Sequence, residues 1–182
     1  MYLIAAYFDE NTNKILKHLQ QRIADKTGND FMIRNNVMPH LTISAIEARN
    51  VDVLIPAFEK VCRGKLQPLE EKSVANNTIN IVSVGQLFPR VIYAAPVLNE
   101  YMMNLSISIY NEFATIPETN ISKFYQPYSW MPHITLGKCL DKEQMRQAFA
   151  VLQDLFMPID GRITKIGLSM VNPYREVLSV EL

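Results

Sequence analysis

Pro39-His40-Leu41-Thr42-Ile43 is repeated later in the chain, with only aliphatic exchanges, as Pro132-His133-Ile134-Thr135-Leu136. If each copy is a β-strand, successive side chains alternate between its faces, so His and Thr share one face and the aliphatic residues share the other. About half of the 182 residues separate the two copies. Each half of the chain is therefore predicted to carry one polar His-Thr pair on an apolar strand.

The elements around the two copies follow the same order, which indicates an internal duplication with halves of about 1–86 and 87–182. Each half is predicted to run strand, helix, motif strand, helix, strand, strand. In the first half, apolar spacing and turn residues predict these elements in order: an opening strand from Tyr2 to Phe8, a helix over about 11–27 ended by Gly28, a helix beginning near Asp52, and strands at 66–74 and 78–84 joined at Asn76-Asn77.

The second half repeats this order with clearer helix signals. Asp141 and Gln144 have the spacing of a capping box, in which each side chain accepts a hydrogen bond from the backbone N–H of the other residue at the start of a helix. The remaining elements follow from the same rules: a strand at 90–95, a helix with an apolar stripe from Leu98 to Phe113, and closing strands at about 159–171 and 175–182 joined at Asn172-Pro173.

The composition is that of an ordinary globular protein, with 48% apolar and 20% charged residues, and we expect one domain over 1–182. Lys and Arg total 18 and are balanced by 18 Asp and Glu. Such a balance gives no general attraction to a nucleic-acid backbone or an anionic membrane. Any anionic ligand must therefore be held by local contacts.

The sequence predicts a cytoplasmic protein without a membrane-spanning segment. No stretch approaches the roughly 18 consecutive apolar residues of a transmembrane helix, and the apolar opening lacks the basic start of a signal peptide. Cys62 and Cys139 are far apart and have no metal-finger spacing, which fits a reducing compartment. No metal or other cofactor is expected, because neither motif His has a set of Asp, Glu or Cys at ligand spacing.

Two His-Thr pairs on facing strands suit acid–base chemistry on a phosphate. Imidazole, with a usual pKa of about 6.5, can accept or donate a proton near neutral pH. Cleavage of a phosphodiester needs one group to deprotonate the attacking hydroxyl or water and another to protonate the departing oxygen. The hydroxyls of Thr42 and Thr135 would donate hydrogen bonds to non-bridging phosphate oxygens.

Other interpretations of the same residues remain open. Each His could be a structural strand residue, although the symmetric repetition of the pair argues against this. The four residues could also form a non-catalytic site that only binds a nucleotide or phosphate. His18, the third histidine, lies among polar residues on the predicted first helix and is expected to be a solvated surface residue.

The duplicated motif resembles that of the two-histidine phosphoesterase superfamily, which includes bacterial 2′-5′ RNA ligases and 2′,3′-cyclic nucleotide phosphodiesterases. The family pattern, His-x-Ser/Thr-x, stands here as His40-Leu41-Thr42-Ile43 and His133-Ile134-Thr135-Leu136. The resemblance extends to the opening strand and helix, the run from Phe88 to Tyr93 and the aromatic Trp130 before Pro-His. It implies an α+β, LigT-like bilobal fold with two antiparallel sheets, flanking helices and a central cleft.

In such proteins the two His act as acid and base and the motif hydroxyls bind phosphate, which assigns those roles to His40, His133, Thr42 and Thr135. The substrate would be an RNA terminus or a small nucleotide, bound by a monomer, and the reverse reaction would be 2′-5′ RNA ligation. Relatives carry a basic residue shortly after the motifs; Lys138 matches it in the second copy, whereas Ser44 and Ala45 stand there in the first. This departure favours a phosphoesterase over a ligase.

Three aromatic residues before the second motif are secondary candidates for lining the substrate site. Tyr125, Tyr128 and Trp130 could stack on a nucleobase, as aromatic side chains do in sites for single-stranded nucleic acid. The alternative, favoured by the sequence alone, is that they pack under a long loop.

Overall fold

The computed structural model describes residues 1–65, 77–87, 89–171 and 174–182. The strand predicted at 66–74 lies outside the described residues, as do Asn76 of the first predicted turn, Phe88 of the midway run and the turn at Asn172-Pro173. In the described part of the chain, no helix is both long and apolar enough to cross a bilayer.

The chain forms helices and antiparallel strands, which confirms the predicted α+β class. The helices are α1 (Glu10–Thr27), α2 (Phe31–Arg34), α3 (Ile55–Lys65), α4 (Glu100–Phe113) and α5 (Lys142–Leu155), with short 3-10 turns at Val51–Val53 and Lys123–Tyr125. The strands are β1 (Tyr2–Phe8), β2 (Leu41–Glu47), β3 (Thr78–Leu87), β4 (Val91–Pro96), β5 (Asn120–Ile121), β6 (Ile134–Lys138), β7 (Ile159–Met170) and β8 (Arg175–Glu181).

Local capping residues explain where the predicted helices begin and end. At the start of α1, the Asp9 carboxylate accepts a hydrogen bond from the Thr12 backbone N–H at 2.9 Å. At its end, Gly28 takes the left-handed conformation with φ of 68° and donates its N–H to the Ala24 carbonyl at 2.9 Å. The helix predicted over 11–27 is therefore confirmed to within one residue.

The capping box predicted for α5 is also confirmed. The Asp141 carboxylate accepts from the Gln144 N–H at 2.8 Å, and the Gln144 side chain accepts from the Asp141 N–H at 3.0 Å. The helix predicted to begin near Asp52 begins instead at Ile55, after a 3-10 turn, so that Pro56 is its second residue. Proline is tolerated there because the first N–H groups of a helix have no intrahelical partner.

The strands form one hydrogen-bonded sheet in the order β1-β2-β6-β4-β3-β7-β8, with β5 beside β2. A further pairing of β1 with β7 closes six of these strands into a circuit. The two sheets that the resemblance implies are therefore hydrogen-bonded to each other at two places. One is the single pair Leu41 with Ile134 between the motif strands, and the other is the pairing of β3 with β7.

Strand pairing crosses the predicted boundary between the sequence halves. β1 lies between β2 of its own half and β7 of the other half. In the same way, β4 lies between β6 of its own half and β3 of the other half. The first half therefore contributes β3 to the strands around β4, and the second half contributes β7 to the strands around β1, so the backbone hydrogen bonds of each group depend on both halves.

Candidate active site

The two motif copies meet where the motif strands touch. His40 and His133 immediately precede β2 and β6, which pair at Leu41 and Ile134. The motif aliphatics, Leu41, Ile43, Ile134 and Leu136, are at most 1% exposed and form part of the core. The predicted division into an apolar and a polar face is therefore present in both copies at the start of each strand.

The polar face of both copies opens into the same pocket, of about 590 Å³. His40, Thr42, His133 and Thr135 all line it, together with Lys138. Thr42 is 8% exposed, and in the described part of the chain neither threonine hydroxyl makes an intramolecular hydrogen bond. Both hydroxyls are thus available to a ligand.

Each motif imidazole is held by the same backbone contact. His40 Nδ1 lies 2.8 Å from the Met38 carbonyl oxygen, and His133 Nδ1 lies 2.9 Å from that of Met131. Because a carbonyl oxygen only accepts hydrogen bonds, Nδ1 must carry the hydrogen and donate it. The neutral ring then has its lone pair on Nε2, which is the atom left for proton exchange. The repeated Met-Pro before each His is the sequence signal for this contact.

A β-bulge follows the threonine in both motif strands. In β2, Thr42 pairs with Ala5 but Ser44 pairs with Ile4, so Ile43 is an extra residue. In β6, the extra residue is Leu136, by the same shift against β4. Beyond a bulge, the side chains occupy the opposite face from the one that regular alternation would give them. The third residue after each threonine therefore lies on the same face as the threonine and lines the pocket.

The bulges make Ala45 the positional counterpart of Lys138. Ala45 pairs with Leu3 of β1, and Lys138 pairs with Val91 of β4, at the same distance from the motif in both strands. Both line the pocket. Lys138 Nζ lies 5.8 Å from the centroid of the Phe31 ring. The pocket is therefore symmetric in its His-Thr pairs and asymmetric in charge around them.

Of the other secondary candidates, Tyr125 lines the pocket, whereas Trp130 and Tyr128 do not. Trp130 is 6% exposed, and its Nε1 donates to the Thr42 carbonyl at 3.0 Å, so it supports the motif strand from within the core. Tyr128 is 84% exposed with a positive φ of 66°. The carbonyl of Thr135 has a similar support, because buried Gln20 donates to it from α1 at 3.1 Å.

A tyrosine ring from the neighbouring strand packs beside each motif histidine. The ring centroids of Tyr7 and His40 are 6.2 Å apart, and those of Tyr93 and His133 are 5.7 Å apart. Each tyrosine lies over a glycine. A Cβ at Gly167 would be 3.0 Å from Tyr7 Cε2, and a Cβ at Gly85 would overlap the Tyr93 phenol.

Sequence reasoning missed the residues that support the motifs: Gln20, the two tyrosines and the two glycines. The sequence signals for these residues are weak, because each contacts its motif from another strand or from a helix that is distant in the sequence. The opening Ala5-Ala6-Tyr7 and the midway Tyr93-Ala94-Ala95 offered the one detectable hint, a similar composition in β1 and β4.

Burial and neighbouring charges favour the neutral form of His40. Burial lowers the pKa of His40 below its usual 6.5, and the nearby His133 and Lys138 charges lower it further, against the opposing effect of the Met38 hydrogen bond. His40 is thus neutral at pH 7 and able to accept a proton. Among the described residues, no group of three His, Cys, Asp or Glu side chains is arranged to hold a metal ion.

Comparison with known proteins identifies the family. A family model described as the 2′-5′ RNA ligase superfamily matches residues 16–171, a range that contains both motifs. The chain belongs to this superfamily. The resemblance inferred from the duplicated motif is therefore confirmed.

Two solved structures of Kluyveromyces marxianus Usb1 are similar to this 2′-5′ RNA ligase superfamily member over its whole length. One is 9% identical with a TM-score of 0.47, and the other, determined with uridine monophosphate, is 12% identical with a TM-score of 0.44. Each alignment covers 100% of this chain and 97% of the Usb1 chain. No curated protein sequence matches the chain.

Proposed function

We propose that this superfamily member is a metal-independent phosphoesterase that cleaves a 2′,3′-cyclic phosphate or a 2′-5′ phosphodiester of RNA or a small nucleotide. The observation that carries the proposal is the pocket itself. It is lined by two His-Thr pairs from distant parts of the chain, and both imidazoles are oriented by the same Nδ1 contact.

In the proposed hydrolysis of a cyclic phosphate, Nε2 of His40 takes a proton from water. The water oxygen bonds to phosphorus, the bond to the departing ribose oxygen breaks, and His133 protonates that oxygen. Thr42 and Thr135 donate hydrogen bonds to the non-bridging oxygens, where negative charge increases in the transition state. The lowered pKa of His40 supports its assignment as base in this direction. The two roles exchange in the reverse reaction.

Lys138 supports a phosphate-bearing substrate, because its ammonium is positioned to attract a flanking phosphate. Ala45 at the equivalent position offers no second cation, so hydrolysis is better supported than 2′-5′ ligation. We further propose that the protein acts as a monomer in the cytoplasm. Cys62 and Cys139, both free thiols, are compatible with that reducing compartment.

A non-catalytic nucleotide-binding module would use the same four residues, so turnover distinguishes the two functions. We expect the purified protein to convert 2′,3′-cyclic nucleotides to monophosphates, with the same kcat/KM in EDTA as in its absence. Saturable binding without product would favour the binding module. Loss of activity on chelation, restored by a divalent ion, would instead indicate a metallophosphatase.

The pH dependence of kcat/KM should be bell-shaped, with its acid limb below pH 6.5. The neutral form of His40 must be present for activity. Because the pKa of His40 is lowered, this form stays populated at pH values below 6.5. Lys138→Met should move the acid limb toward higher pH, since it removes one of the charges that lower the His40 pKa.

Lys142→Met, a matched change at the start of α5, should leave the acid limb in place. The rate–pH profile of each variant on one cyclic nucleotide provides the test. A wild-type acid limb at or above pH 6.5 would contradict the assignment of His40 as base.

A further inference from the structure

The pocket has chemically different ends on either side of the two histidines. β2 and β6 are antiparallel and pair only at Leu41 and Ile134, so beyond that contact they run in opposite directions. β2 ends at Glu47 and β6 ends at Lys138, and both residues line the pocket. One end therefore carries a cation and the other a carboxylate. The carboxylate has no role in the proposed phosphate chemistry.

The Glu47 end is built from two adjacent strands. Glu47 is the direct partner of Asn120 in the β2–β5 ladder. Directly opposed side chains of an antiparallel pair lie on the same face, with Cβ atoms about 4.5–5.5 Å apart. The Ser122 N–H donates to the Ala45 carbonyl at 2.9 Å and extends this contact, so that Asn120, Ser122 and Tyr125 all line the pocket beside Glu47.

The polar side chains of this corner are free to bind a ligand. In the described part of the chain, neither the Glu47 carboxylate nor the Asn120 amide takes part in a hydrogen bond or ion pair with another side chain. Tyr125 adds a half-buried aromatic ring to the same wall. A carboxylate, an amide and an aromatic surface in one corner are the groups that recognise the edge and face of a nucleobase.

We infer that the Glu47 end of the pocket is a nucleobase subsite that selects a base with hydrogen-bond donors on its Watson–Crick edge, guanine above all. This inference rests on the proposed function. An ionised carboxylate only accepts hydrogen bonds, and guanine presents N1–H and N2–H side by side to its two oxygens. Uracil presents one N–H between two carbonyl oxygens, which repel a carboxylate. The subsite therefore discriminates against uracil.

Substrate preference and its loss in one variant test this inference. We expect kcat/KM of the wild type for 2′,3′-cyclic GMP to exceed that for 2′,3′-cyclic UMP by about tenfold or more, the range of a good bidentate contact. Glu47→Gln should reduce this ratio to within about threefold of one, because the amide replaces one acceptor with a donor. Asp154→Asn makes the same chemical change on α5, away from the pocket, and should preserve the ratio.

Equilibrium binding of 3′-GMP and 3′-UMP, measured by calorimetry on the same proteins, separates this inference from the proposed function. A GMP preference that Glu47→Gln removes, in a protein without turnover, would support the subsite and contradict the phosphoesterase. Turnover or binding without a GMP preference, or a preference that Glu47→Gln leaves intact, would overturn the subsite.

Discussion

His40→Ala and His133→Ala should each lower kcat on a 2′,3′-cyclic nucleotide by about 10³- to 10⁴-fold. Each change removes one of the two groups that move a proton in the transition state, and general acid–base catalysis contributes up to about 10⁴-fold. Because the histidines act as a unit, the double variant should lose little more than either single one. Steady-state kinetics with a sensitive product assay would measure these losses.

Two controls make the histidine prediction specific. His18→Ala changes the third histidine, which is exposed on α1, and should leave kcat unchanged. His40→Asn keeps a side-chain N–H that can donate to the Met38 carbonyl but has no counterpart of Nε2, so it should be as inactive as His40→Ala. Full activity in either motif variant, with thermal unfolding like the wild type, would exclude the proposed mechanism.

Thr42→Val and Thr135→Val should each lower kcat by roughly 10²- to 10³-fold, the usual loss when one donor to a developing oxyanion is removed. Valine keeps the β-branched shape that suits a strand and removes only the hydroxyl. The two sites should behave alike, because both hydroxyls face one pocket and neither has an intramolecular partner in the described part of the chain.

Serine provides the matched control for both threonines. Thr42→Ser and Thr135→Ser retain the hydroxyl and should keep kcat within about tenfold of the wild type. A loss that appears in KM alone would mean that the threonines bind the substrate and the transition state equally. Serine variants as impaired as the valine variants would indicate that the methyl group, and not the hydroxyl, is what the site requires.

The sequence predicted much of the local structure because the signals for it are local. α1 and α5 were recognised from apolar spacing, together with Gly28 at the end of α1 and the capping box at the start of α5. The predicted start of α3 near Asp52 was wrong, and the helix begins at Ile55. The residues at 51–53 form a 3-10 turn, which apolar spacing does not distinguish from a helix.

The candidate site could be predicted only in part. His40 and Thr42 were found because they recur as His133 and Thr135, and repetition is visible in a single sequence. Trp130 was a candidate for the substrate wall, yet it lies in the core and donates to the Thr42 carbonyl. An aromatic side chain near a motif has the same appearance in the sequence whether it faces the ligand or supports the strand.

The sequence by itself determined that each half carries a His-Thr pair on a strand with a buried aliphatic face, and it placed the helices on which these strands pack. These features depend on side-chain alternation and on capping contacts between near neighbours. Tertiary structure alone decided that both pairs open into one pocket, that β3 and β7 each pair with strands of the other half, and that bulges turn Ala45 and Lys138 toward the ligand space. Those features depend on strand pairing and register between residues far apart in the chain, which local periodicity does not specify.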